Sequence, residues 1–147
     1  MRKEGIRREW TTPYNPEQNG VAKQKNRTIV GAAKAMLFDL DLPRYLWAEA
    51  CNTTVYIRNK TPHRTLRKKT PKEVFTSKKP EVGHLRICGS MAYYHVPSEK
   101  RSKLDQTAER GYLVGYSETS KAYRFYIPSS RKVVIRRNVK FMDDRAF

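Results

Sequence analysis

From Leu85 onward the sequence reads LRICGSMAYYHV (85–96), GYLVGY (111–116), AYRFYI (122–127), KVVIRR (132–137) and NVKF (138–141), and these runs decide the fold. Each is rich in β-branched and aromatic residues, too short for a helix and set off by turn-forming residues, the pattern of β-strands. Five such runs in about sixty residues predict a small β-barrel. Tyr93, Tyr94, Tyr112, Tyr116, Tyr123, Phe125 and Tyr126 lie within them. Strand aromatics pack as core more often than they serve as base-stacking platforms, so core is the expectation here.

Upstream the period changes. Ala22, Ile29, Ala33, Met36 and Leu40 recur at helical intervals and predict a helix from about Glu17 to Leu40. At about 100° per residue, Lys23, Arg27 and Lys34 fall within about 40° of one another on the face turned away from that stripe. Pro43 suits the first turn of a second helix, whose stripe of Leu46, Trp47, Ala50, Cys51, Thr54 and Ile57 runs to about Asn59. Residues 5–12 read as a short strand, and Pro13 and Pro16 bracket an extended loop. Residues 61–84, with Pro62, Pro71, Pro80 and many lysines, read as a basic linker holding at most a short turn at Pro71–Phe75. The class is α+β: helices at 1–60, a linker at 61–84 and a five-stranded barrel at 85–147.

The 147 residues carry 31 Lys and Arg against 14 Asp and Glu, a net charge of +17. The excess is +5 over 1–38, +5 over 39–84 and +7 over 85–147, so it is spread along the chain and not confined to a tail. Such a surface fits a long polyanion, and nucleic acid is the partner it favours. No stretch approaches the length of a membrane span, so no membrane partner is expected. Cys51 and Cys88 are single and far apart, as core thiols in a reducing compartment would be. The N-terminal MRKEGIRREW lacks the apolar run of a signal peptide, which leaves a nuclear or cytoplasmic location. Asp39 with Asp41 and Asp143 with Asp144 are close pairs at element ends, suited to capping or solvation, and His63, His84 and His95 show no ligand spacing.

The string TPYNPEQNGVAKQKNRTIV (12–30) closely resembles the active-site loop and following helix of copia-type retrotransposon integrases, part of a Pol polyprotein. LPRYLWAEACNTTVYIRN (42–59), KTPKEVFTSKKPEVGHLRICGSMAYYHVP (69–97), KRSKLDQTAERGYLVGYSETSKAYRFYIP (100–128) and RRNVKF (136–141) are similar to successive segments of that family. The resemblance implies that residues to about Asn59 form the helical C-terminal remnant of a ribonuclease-H-like core and that an SH3-like barrel follows. It also implies a Mg²⁺ chemistry, in which two Asp and one Glu hold two ions for in-line phosphoryl displacement. The segments carrying the two Asp, and the zinc-binding domain before them, would precede residue 1. The family's Glu belongs to the pattern Asn-Gly-Val-Ala-Glu, and the matching position here is Lys23. A protonated lysine has no lone pair to offer Mg²⁺ and repels it. Glu17 lies in the loop, at a position the family fills with Gln or Glu, and is not a substitute. No catalytic residue, metal ligand or cofactor is therefore expected.

What the resemblance leaves is a surface facing nucleic acid. It places Tyr14, Asn15, Gln18 and Asn19 in the loop near DNA, followed by the helix face of Lys23, Arg27 and Lys34. Arg131, Lys132, Arg136 and Arg137 on the last hairpin form a second basic group. All are expected at the phosphate backbone, which positions a protein without reading bases. Integrases of this kind work as multimers, so a second copy or an intact integrase is an expected partner besides DNA. Three alternatives stand beside the inactive DNA-binding fragment: a non-catalytic subunit assisting an intact integrase, a protein-interaction module, and the reading frame of a decayed element that makes little stable protein.

Overall fold

The computed structural model describes residues 10, 12, 16–96, 102–103 and 107–142, without the side chains of Pro16 and Gln18. Most of the strand expected over 5–12 lies outside them. A 3-10 turn at Pro16–Asn19 leads into α1 (Gly20–Asp39); a second at Arg44–Leu46 leads into α2 (Trp47–Lys60); α3 (Pro71–Thr76) follows. The strands are β1 (Met91–His95), β2 (Ala108–Tyr116), β3 (Tyr123–Ile127), β4 (Lys132–Arg136) and β5 (Val139–Phe141). The expected α+β class is what forms: three helices, then a five-stranded antiparallel sheet in the order β4-β3-β2-β1-β5.

The sheet rolls up. β3 and β5 stand three strands apart, about 14 Å if the sheet were flat, yet the rings of Tyr123 and Phe141 meet at 5.2 Å. Inside the roll Ala92, Tyr94, Leu113, Tyr116, Phe125 and Ile127 form one buried cluster, with Tyr56 and Ile57 of α2 packed against it. Most of the strand aromatics are core, as expected; Tyr93 is the exposed one. The next residue of β2, Val114, joins a second cluster with Leu46 and Tyr126, on which Leu37 of α1 packs. The apolar run GYLVGY is thus buried on both faces, which is why it does not alternate.

The structure departs from the sequence expectation at two places. The first strand begins at Met91 and not at Leu85, because Gly89 takes a left-handed φ of +83° and Ser90 turns back to bond the Ile87 carbonyl. Trp47, expected in the buried stripe of α2, is 62 % exposed. The stripe is rotated toward Thr53, whose hydroxyl donates to the Val114 carbonyl at 2.6 Å. Gly115 makes this approach feasible: a Cβ there would lie 2.7 Å from Thr53 Oγ1. On the flank of the same helix Arg124 Nε donates to Glu49 at 2.7 Å and a guanidinium nitrogen closes a second bond to the same carboxylate. Helix and sheet are therefore joined by polar bonds between residues far apart in sequence.

Residues 61–84 hold more regular structure than a turn. A 3-10 turn spans Arg64–Leu66, and α3 starts with a side-chain N-cap: Thr70 Oγ1 accepts from the Glu73 amide at 3.0 Å with Pro71 in the first turn.

Both cysteines are free and partly buried. Cys88 lies in the turn before β1 and donates to the Leu113 carbonyl at 3.4 Å, and burial pushes its pKa up to about 11. At pH 8 its thiolate fraction is then about one in a thousand, so iodoacetamide is expected to leave Cys88 largely unmodified until the chain is denatured. Peptide mass spectrometry reads this directly. Because the folded value exceeds the unfolded one, this thiol's contribution to stability is present below pH 9 and lost as pH rises toward 11.

Candidate nucleic-acid interface

Lys23, Arg27 and Lys34 all stand exposed on α1, on the side away from Ile29, Ala33 and Met36. The apolar stripe holds them there: Ala33 is buried against the rest of the fold while Ile29, Met36 and Leu37 are half-buried. Asn19 is exposed at the N-cap of the same helix, without a side-chain capping bond. Gln18 belongs to the 3-10 turn before it, whereas Tyr14 and Asn15 lie outside the described residues.

The hairpin group divides. Arg131, in a left-handed turn position, and Lys132 and Arg137 are exposed. Arg136 is half-buried: its guanidinium sits 4.9 Å from the Tyr94 ring centre, Nη1 donates to the Ile135 carbonyl at 3.0 Å and Nε is buried without a partner. Its engagement with the roll makes it part of the packing, and this sets it apart from its three neighbours.

One basic cluster escaped the sequence reading. Lys60, at the end of α2, is buried to 8 % exposure, its Nζ 2.5 Å from Tyr56 Oη and 3.1 Å from His84 Nε2. Burial lowers the pKa of Lys60, with Glu81 opposing. His84 is also lowered, by burial first and then by the ammonium of Lys60, with Lys121 and Lys72 adding to it and Glu81 opposing. A neutral His84 ring has one acceptor nitrogen, and Nε2 faces both the Lys60 ammonium and the Tyr56 hydroxyl, the latter at 2.9 Å. The Tyr56–Lys60 spacing of four was visible in the sequence, but His84 joins the pair from 24 residues away.

Lys23 has Asn19, Asn26 and Arg27 as its helical neighbours, none a carboxylate, and Glu17 is exposed in the preceding turn. Among the described residues no three of His, Cys, Asp and Glu are arranged to hold an ion. The side chains present do not fit Mg²⁺ at this position.

Residues 90–147, which include the whole sheet, match the family described as Retroviral polymerase SH3-like domain. Over 139 residues the chain is 39 % identical to the Retrovirus-related Pol polyprotein from transposon TNT 1-94 of Nicotiana tabacum, covering 95 % of the chain and 10 % of that protein. The chain belongs to the copia/Ty1-type retrotransposon Pol family. The Transposon Ty1-DR6 Gag-Pol polyprotein of Saccharomyces cerevisiae is 28 % identical over 143 residues, 91 % of the chain and 8 % of that protein. An uncharacterized mitochondrial protein of Arabidopsis thaliana is 36 % identical over 86 residues, 58 % of the chain and 69 % of its own length. The chain thus spans about a tenth of the length of the Pol polyproteins it matches. No solved structure matches it. This Pol segment carries the SH3-like domain behind three helices, and no described helix is long and apolar enough to cross a membrane.

Proposed function

We propose that this Pol segment binds nucleic acid through the backbone phosphates and supplies no metal ligand of its own, so that it neither cuts nor joins strands. The observation that carries the reading is Lys23. It is exposed beside Arg27 and Lys34 on one helix face, at the position where the integrase resemblance expects the metal-binding Glu. The one side chain both removes a ligand for a divalent cation and adds a positive charge where phosphate would approach. Arg131, Lys132 and Arg137 extend the basic surface onto the hairpin, and the net charge of +17 supports a polyanionic partner.

Six phosphate contacts, from those six exposed residues, predict a slope of log affinity against log salt of about −5. Affinity for duplex DNA of arbitrary sequence is then expected to fall about 10³-fold between about 50 and 200 mM salt. Fluorescence anisotropy over that range measures it. A flat salt dependence would overturn the reading.

A further inference from the structure

Two cavities adjoin beside the end of α2. One, of about 650 Å³, lies between α2 and α3 and is lined in part by Val55, Asn59 and Phe75. The other, of about 400 Å³, reaches toward the β2–β3 loop and includes His84, Ser117 and Lys121. Tyr56, Lys60, Lys72 and Glu118 line both, so the two are halves of one groove with Lys60 and Lys72 at its waist.

The charge at the waist is unbalanced. Lys60 Nζ rests on a phenol oxygen and an imidazole nitrogen, both uncharged partners. Among the described residues no carboxylate lies within 4 Å of it, and Glu81 is 3.5 Å from Lys121 instead. Lys72 adds a second ammonium; Glu118 is the opposing charge that lines both halves. A partly desolvated ammonium held by neutral partners is stabilised by an anion that enters beside it.

The aromatic surface of the groove narrows the choice of anion. Tyr56 is already covered, stacked on Tyr116 at 4.8 Å between ring centres and with Lys60 Nζ at 3.9 Å from its own. Phe75 is different: it is 80 % exposed. It lies three residues beyond Lys72 on α3, and side chains at that spacing are surface neighbours about 5–6 Å apart. An open ring beside an ammonium, on the scale of one nucleotide, suits a base and its phosphate.

We propose that this groove binds an unpaired nucleic-acid strand, with a phosphate between Lys60 and Lys72 and a base on the Phe75 ring. In a duplex the base faces are covered by their neighbours, so only an unstacked strand gives Phe75 a partner. An apolar protein segment laid over Phe75 and Val55 would bury the Lys60 and Lys72 charges without an anion, which is costly. The inference rests on the nucleic-acid reading above but uses a different surface and a different form of the ligand.

The test is anisotropy with two labelled probes, an oligothymidylate of about 12 nucleotides and a duplex of about 20 base pairs. The proteins are the parent chain, Phe75→Ala, Lys72→Gln and the triple variant Lys23→Glu, Arg27→Glu, Lys34→Glu, each checked for an unchanged melting temperature. Both groove positions are exposed, so neither substitution should disturb the fold. Phe75→Ala is expected to weaken oligothymidylate binding roughly 5- to 100-fold and to leave duplex affinity within about twofold. Lys72→Gln should flatten the oligothymidylate salt slope by about one. Parent-like oligothymidylate binding by both groove variants overturns the proposal, as does an equal loss on both probes. Duplex binding that falls only in the triple variant would then leave the α1 reading standing. If the parent chain binds neither probe, both readings fail.

Discussion

Reversing the charge of Lys23, Arg27 and Lys34 together is expected to lower affinity for duplex DNA by a factor on the order of 10²–10³ at about 0.1 M salt. Each phosphate neutralised on B-DNA contributes about 0.9 to the salt slope, so three lost contacts flatten it by about 2.7 and remove the corresponding counterion release. The introduced carboxylates add repulsion toward the phosphates, which deepens the loss. The three side chains are exposed and none takes part in either buried cluster. The melting temperature should therefore change little while binding collapses. If instead duplex affinity is retained, the phosphates lie elsewhere, and Arg131, Lys132 and Arg137 become the first alternative. If the variant also keeps capture of a protein partner, the interaction-module reading gains the ground that the DNA reading loses.

This face was legible in the sequence because helical periodicity is a local property. Ile29, Ala33 and Met36 fix which side of α1 is inside, and the positions of the three cations follow from that alone. The strands were legible for the same reason, since β-branched and aromatic runs between turns need no knowledge of distant residues. What could not be read depends on pairs far apart in the chain. Thr53 meets the Val114 carbonyl across 61 residues and Glu49 meets Arg124 across 75, and these contacts rotate α2 so that Trp47 turns outward. Arg136 looked equivalent to Arg131, Lys132 and Arg137 until the curl of the sheet brought Tyr94 beneath its guanidinium. The groove at Lys60 is likewise assembled from α2, α3 and the β2–β3 loop, and no single segment announces it.

The polar joint between helix and sheet bears on how the chain unfolds. Thr53 is buried, and the carboxylate and guanidinium of the Glu49–Arg124 pair keep only 18 % and 28 % of their side-chain exposure. A buried hydroxyl bonded to a carbonyl contributes about 1 kcal/mol, but separating the two surfaces leaves the carbonyl unpaired and costs more. Tyr56 and Ile57 of α2 pack on the same cluster that fills the sheet, so the apolar core crosses the boundary between helices and strands. Helices and sheet should therefore melt together.

Phe125 is where that cooperativity can be measured. It is fully buried on β3, among the largest buried side chains of the fold, with Tyr123 and Phe141 ring centres at 6.1 and 5.9 Å. Phe125→Ala removes the whole phenyl ring from a cluster shared with Leu113, Ile127 and the sheet itself, which cannot close over the void without breaking strand pairing. The expected loss is about 3–5 kcal/mol, against about 5–15 kcal/mol for a whole domain of ordinary stability. For a chain of this length that corresponds to a fall of roughly 10–20 °C in melting temperature. Circular dichroism of the helices and amide hydrogen exchange of the strands should report the same loss, because α2 rests on the same core. A loss confined to the strand amides would mean that the helices hold together independently of the roll. A parent chain with no cooperative transition at all would favour the reading frame of a decayed element, since a protein that never forms this core cannot lose stability when Phe125 is removed.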